Sequence, residues 1–226
     1  MLPSAILFGA IGTLAETSEL QRRAFNMAFA MHDLDWIWEP AIYYRMLRSP
    51  GGRDRVASYA EAAGDRVDAK RIHAAKEDFF RLLVRKEGIT LRDGVRETIR
   101  HCHAHAIPMG FCTTTSERQV DLILQGLAPA LSRDSFDWIG NRSRVERVKP
   151  APDIYRAALR DLGVQAGGAI AIEDTPESAR AALSAGLHVL AVPGRAAKGR
   201  AFPEGVQVLD RLSVQALGVG MNLAAE

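Results

Sequence analysis

Seven residues in this 226-residue chain have the types needed to hold a phosphate group and its counter-charge. Gly12 and Thr13 stand in FGAIGTLAET, Thr113 and Thr114 in FCTTTS, Lys149 in VKPAPDIY, and Glu173 and Asp174 in AIEDTPESAR. Hydroxyls and turn amides hold phosphate oxygens, and a lysine ammonium neutralises their charge. Two adjacent carboxylates are hard oxygen ligands suited to magnesium. Singly, each signal is weak, since an acidic pair after a strand is commonly a helix start. Their order along the chain is what makes them informative.

Positions so far apart need a frame that gathers them. Short apolar runs recur at 5–9, 107–113, 136–140, 169–173 and 188–192, with a weaker one at 206–209, each followed by a helical pattern. Unbroken apolar strands alternating with helices predict an α/β fold, a doubly wound parallel sheet of Rossmann-like form covered on both faces. The helix predicted over 94–105 lines one face with Val95, Ile99 and Cys102, and that over 152–162 with Ile154, Ala158 and Leu162. Ligands bind such sheets beyond the carboxyl ends of the strands. The residues that follow the strands are Gly9–Thr13, Thr113–Ser116 and Glu173–Asp174, with Lys149 just ahead of a helix.

About 97 residues separate the first two strands, far more than one crossover helix requires. Ser18 and Gln21 match a capping box, and Leu20, Ala24, Phe25, Ala28 and Phe29 then share a helical face. Further helical patterns over 40–48, 53–63 and 68–87 are divided by Pro50-Gly51-Gly52 and by Gly64. The expected organisation is a sheet domain over 1–16 and 89–226, with a helical cap over 17–88. The connections near 15–18 and 87–91 are its expected hinges.

Composition narrows the partners. With 47% apolar and 25% charged residues the chain is an ordinary globular one, and a net charge of +2 without a long basic block argues against nucleic acid or membrane surfaces. Cys102 and Cys112 show no framework spacing and read as reduced, buried thiols. No basic residue precedes LPSAILFGAIGTLA and no cleavage site follows it, so no leader is read and a cytoplasmic location is expected.

The runs FGAIGTLAETSELQRRAFN, GGRDR, FCTTTS, VKPAPDIY and AIEDTPESARAALSAG resemble the haloacid dehalogenase (HAD) superfamily over nearly the whole chain. The resemblance is to the phosphoglycolate phosphatase and β-phosphoglucomutase branch, and within it to CbbY-like phosphatases of sugar bisphosphates. It implies that Thr113 and Lys149 hold a phosphoryl group, that Glu173 and Asp174 hold magnesium, and that Arg53 in the cap contacts a sugar phosphate. The family's first motif is Asp, any residue, Asp, then Gly-Thr-Leu, supplying the nucleophile and then the acid/base. Here Gly9 and Ile11 stand at those two positions. Neither can form a phospho-intermediate or shuttle a proton. The nucleophile is also a metal ligand in the family, so magnesium is expected weakened or absent, with the backbone carbonyl of Ile11 left beside Glu173 and Asp174. The expectation is a catalytically silent or severely impaired phosphatase fold with a vestigial phosphate pocket. A weak magnesium-dependent phosphatase of a small phosphorylated sugar, and an interaction subunit with a protein partner, are the alternatives.

Three other signals read as structure. Of His101, His103 and His105 only the first and last share a helical face, and a solvated surface is expected. Trp36 and Trp38 suit packing among the cap helices. Arg142, Arg144 and Arg147 form either a solvated face or an anion-attracting rim beside the phosphate residues.

Overall fold

The computed structural model describes residues 2–9, 11–48 and 51–222, with side chains as far as 218. Ala10 of the first turn and Pro50 of the helix break lie outside the described residues. The chain forms two compact units, Met1–Glu16 with Ile89–Glu226, and Thr17–Gly88. Its helices in chain order are α1 (Ile11–Leu14), α2 (Ser18–Met31), α3 (Pro40–Met46), α4 (Gly52–Ala63), α5 (Ala69–Glu87), α6 (Val95–Ala104), α7 (Glu117–Leu127), α8 (Asp153–Leu162), α9 (Pro176–Leu183) and α10 (Val214–Asn222). Among the described residues no helix is long and apolar enough to cross a membrane.

The first unit is built on β1 (Ala5–Phe8), β2 (Met109–Cys112), β3 (Trp138–Gly140), β4 (Ala169–Glu173), β5 (His188–Ala191) and β6 (Val206–Val208). All pairs are parallel, in the order β3-β2-β1-β4-β5-β6. This is the doubly wound sheet that the apolar runs predict. Two strands begin later than their apolar runs, because Ile107 and Phe136 are buried outside the ladder. Apolar content marks burial, and pairing is a narrower condition.

Strands β1, β2 and β4 are buried at every residue. Small residues let the covering helices approach closely: Ala179, Ala181 and Ala182 of α9, and Ala157 and Ala158 of α8, all join the core with Leu7, Ala171 and Val189. Register sets Phe8 beside Phe111 and Ile172, and Cys112 beside Gly140. The chain therefore leaves β3, β2, β1 and β4 at one edge, in that spatial order. Both thiols are buried and free, and burial pushes Cys102 up to about 12, so it is an inert core group.

The helical unit closes on aromatic side chains. Trp38 is fully buried, with its ring 4.7 Å from those of both Phe25 and Phe29. Its backbone is pinned by Asn26, whose Oδ1 accepts the Trp38 N–H at 2.9 Å, and by Arg22, which donates to the Trp38 carbonyl at 2.7 Å. The expected capping box at Ser18 and Gln21 does not form as read. Ser18 is the first helical residue, Thr17 stands at the cap, and the Thr17 hydroxyl accepts from the Gln21 side chain at 3.4 Å. A one-residue shift at a helix end moves every capping role with it.

One feature of this unit has no signature in the sequence. Lys76 lies 3% exposed on α5, donating to Gln21 at 2.6 Å and Glu77 at 2.9 Å, over the faces of Phe25 and Phe80. Burial lowers its pKa, against the opposing pull of Glu77. Gly52 permits a close approach of α4 to α5, since a Cβ there would meet His73 Nε2 at 2.5 Å.

In the sheet unit, Gly94 opens α6 at φ +81°, and a Cβ there would run into the backbone carbonyl of Leu212. Gly94→Ala is expected to cost about 1–3 kcal/mol through positive-φ strain and that contact. A urea melt checks this, and an unchanged midpoint would contradict it.

Candidate functional site

Four chain exits and one lysine meet at the sheet edge. Gly9 ends β1, with its N–H on the Ile172 carbonyl at 2.9 Å. After Gly9 the chain turns into α1, a single helical turn in which the Ala15 N–H donates to the Ile11 carbonyl at 2.8 Å. That carbonyl accepts one helical hydrogen bond and keeps a second lone pair. Thr13 is 3% exposed and its hydroxyl has no hydrogen-bond partner. Arg92 fixes the loop from behind, donating to the carbonyls of Gly12 at 2.8 Å, Val192 at 2.9 Å and Pro193 at 3.0 Å. Nothing in the sequence marks this arginine, because its partners are backbone atoms about 80 and 100 residues away.

After β2, Thr113 is buried and its hydroxyl accepts the Thr115 N–H at 3.2 Å, while Thr114 is half-buried. Ser116 caps α7 by accepting from the Gln119 N–H at 3.3 Å. The turn is thus closed on itself by two side-chain oxygens, each accepting a backbone N–H of its own segment. The neighbouring exit from β3 is tied to it, with the Arg142 N–H donating to the Thr115 carbonyl at 2.8 Å.

Lys149 reaches across the edge. Its ammonium donates to the Gly9 carbonyl at 2.5 Å, to Glu173 Oε1 at 2.7 Å and to the Tyr155 hydroxyl at 3.0 Å. Tyr155, on α8, also donates its own hydroxyl proton to Glu173 Oε1. The residue lies in the VKPAPDIY run, six positions beyond Lys149, and the sequence assigned it no role. Burial, then the charge of Glu173, holds its phenol well above the ordinary range, so it is a donor and not a base.

Gly9 is the keystone of this packing. A Cβ at that position would fall inside the contact distance of the Glu173 carboxyl and the Tyr155 hydroxyl. The space next to the strand end, where the family pattern has a nucleophile side chain, therefore belongs to Glu173 and Tyr155. Asp174 is equally confined, since a Cβ on Gly12 would strike its Oδ2 and one on Gly194 would lie 3.3 Å from it. Burial, then the neighbouring Glu173, pushes the Asp174 carboxyl up to about 7, and Arg92 and Lys149 oppose the shift.

Magnesium, implied by the family resemblance, can be tested against these donors. Glu173 Oε2 and Asp174 Oδ1 are buried oxygens with no hydrogen-bond partner. Magnesium is satisfied by one or two carboxylates, with water or phosphate completing its octahedron. The two acids fit such a site. Among the described residues no group of three or more His, Cys, Asp or Glu side chains is gathered. The histidines of α6 stay apart from this edge's chemistry: the rings of His101 and His105 face each other at 4.2 Å, and His103 is exposed. Arg53, on the helical unit, is exposed and bonded to its neighbour Asp54 at 3.2 Å.

A family model described as haloacid dehalogenase-like hydrolase matches residues 3–186. Protein CbbY of Cereibacter sphaeroides is 37% identical over 224 residues, covering 98% of this chain and 97% of that protein. The crystal structure of CbbY from Rhodobacter sphaeroides in complex with phosphate superposes with a TM-score of 0.85 at 35% identity, covering 98% of this chain and all of the other. A mutant of that CbbY in complex with xylulose-(1,5)bisphosphate gives 0.82 at 36% identity, covering 93% and 95%.

Two measurements check the packing. Gly9→Ala is expected to destabilise the protein by about 1–3 kcal/mol through overpacking, and a urea melt matching the parent would show that Glu173 and Tyr155 yield freely. For Asp174 the folded pKa is raised, so its contribution is fully present below the unfolded value near 3.8 and is lost as pH rises through about 7. In EDTA, stability should fall by about 2–3 kcal/mol more between pH 5 and pH 8 in the parent than in Asp174→Asn. Parallel pH profiles would contradict that.

Proposed function

The chain belongs to the haloacid dehalogenase-like hydrolase family, and from that membership we propose a protein that binds a phosphorylated sugar and does not hydrolyse it. The single observation that carries this proposal is Gly9, whose side-chain space is taken by Glu173 and Tyr155. No carboxylate stands on β1 to attack phosphorus, and the position that handles the proton carries Ile11. Loss of a nucleophile alone lowers turnover by roughly 10⁴- to 10⁶-fold. Glu173, the carboxylate packed against Gly9, does not inherit the task. Glu173 is fully buried with its Oε1 on Lys149 and Tyr155.

Binding survives where chemistry does not. Gly12, Thr13, Thr113 and Thr114 supply amides and hydroxyls, and Lys149 supplies a positive charge, around one point of the sheet edge. Glu173 and Asp174 are the residues that would hold magnesium, and a bound ion there neutralises phosphate charge. On this proposal residues 17–88 serve as the cap, and Arg53 contacts the sugar phosphate. The ligand class follows from the relatives, whose structures hold phosphate and xylulose-(1,5)bisphosphate.

A second reading is weak magnesium-dependent phosphatase activity, favoured by the two unpartnered carboxylate oxygens of Glu173 and Asp174. Metal and phosphate ligands supply much of the stabilisation in phosphoryl transfer. Calorimetric titration with inorganic phosphate, beside a phosphate-release assay on xylulose 1,5-bisphosphate with magnesium, separates the two. The silent reading predicts saturable phosphate binding that is lost in Lys149→Ala, with release at background. Release well above background that disappears in Asp174→Ala would overturn it.

A further inference from the structure

The end of α6 carries a pair of imidazoles that the proposed function leaves unused. His101 stands in the last turn and His105 at the C-cap, four residues on, so the two share a face. Their ring centroids lie 4.2 Å apart, with the planes tilted by 38°. His105 is exposed and His101 half-buried. His105 Nδ1 is 2.9 Å from the His101 carbonyl, and because a carbonyl only accepts, that nitrogen is the donor. In the neutral ring the lone pair is therefore on Nε2, which has no hydrogen bond among the described residues, and neither ring nitrogen of His101 has one. His103, two residues from each, falls on the opposite side of the helix. The adjacent Cys102 is buried, and burial pushes its thiol up to about 12, so it adds no thiolate.

From this geometry we propose that His101 and His105 chelate one divalent transition-metal ion of the class that imidazole favours, such as zinc, nickel or copper(II). An ion bound about 2 Å from each nitrogen holds the two nitrogens roughly 3.3 Å apart. Rings already in contact reach that separation by small side-chain rotations. The bond from His105 Nδ1 to a backbone carbonyl is the outer support that fixes a ligand's tautomer and raises the basicity of its free nitrogen. The helix adds to the attraction, because the pair sits at its C-terminal end, where the last carbonyls carry partial negative charge. Among the described residues no third His, Cys, Asp or Glu joins the pair, so water completes the coordination. The site is independent of the proposed phosphate pocket. α6 ends just ahead of β2, toward the opposite end of the sheet from the strand exits. Its chemistry differs as well, since the oxygens of Glu173 and Asp174 suit a harder ion.

Proton NMR of the ring signals of all six histidines, recorded on the full chain during titration with zinc, tests the site. The signals of His101 and His105 are expected to shift together and to saturate at one zinc per chain, while that of His103 stays in place. His105→Gln is expected to weaken the zinc affinity read at His101 by about tenfold or more, because a single ligand remains. His103→Gln is expected to leave that affinity unchanged, and both variants are expected to melt with the parent in EDTA. Magnesium in place of zinc is expected to move neither ring of the pair. Shifts confined to one ring of the pair, or equal across all six histidines, overturn the site. An affinity at His101 that survives His105→Gln overturns it too, as do equal shifts with magnesium.

Discussion

The ammonium of Lys149 is the interaction on which the sheet edge depends. Its three donors meet the carbonyl of Gly9 after β1, the carboxylate that ends β4 and the phenol of α8, so a phosphoryl group reaches Lys149 only by displacing one of these partners. The Lys149 side chain is 8% exposed and that of Glu173 is not exposed at all. Charges held this far from water are tolerable only together, and removing one leaves the other uncompensated at a cost of about 3–5 kcal/mol. That mutual dependence ties β1 to β4 at the point where Gly9 has no side chain of its own to offer.

This arrangement separates two tasks that share one pocket in a phosphatase. Holding a phosphoryl group needs amides, hydroxyls and positive charge, which the proposed function assigns to the turns after β1 and β2 and to Lys149. Breaking the ester needs a carboxylate poised for attack and a second to move a proton, and β1 ends in Gly9 with Ile11 beyond it. Arg92 holds the loop after β1 by gripping its Gly12 carbonyl and two carbonyls of the segment after β5. The frame at this edge is built from backbone bonds and burial.

Much of this was legible beforehand, and for identifiable reasons. Apolar runs of four to seven residues located all six strands; β1, β2 and β4 are buried throughout and can tolerate little else, whereas the partly exposed β6 gave the weakest run. Helical spacing found the Phe25 and Phe29 face of α2, strand-end position put Thr113, Glu173 and Asp174 at the sheet edge, and Lys149 was read from its place just ahead of α8. Other features escaped, Arg92 among them. Tyr155 lay in plain view in VKPAPDIY, but its role exists only because Gly9 leaves it room. Lys76 looked like any charged residue on a long helix until Gln21 and two phenylalanines enclosed it. The cap of α2 fell at Thr17 and not Ser18, because both are hydroxyl residues suited to an N-cap and only geometry chooses between them.

Phosphorus NMR of xylulose 1,5-bisphosphate with a stoichiometric amount of protein and magnesium reads binding and turnover in one sample. A pocket that holds its ligand without attacking it predicts shifted or broadened ester resonances and no inorganic phosphate signal above the protein-free control over days. Steady growth of the inorganic phosphate line, absent in Asp174→Ala, would contradict the account at its centre.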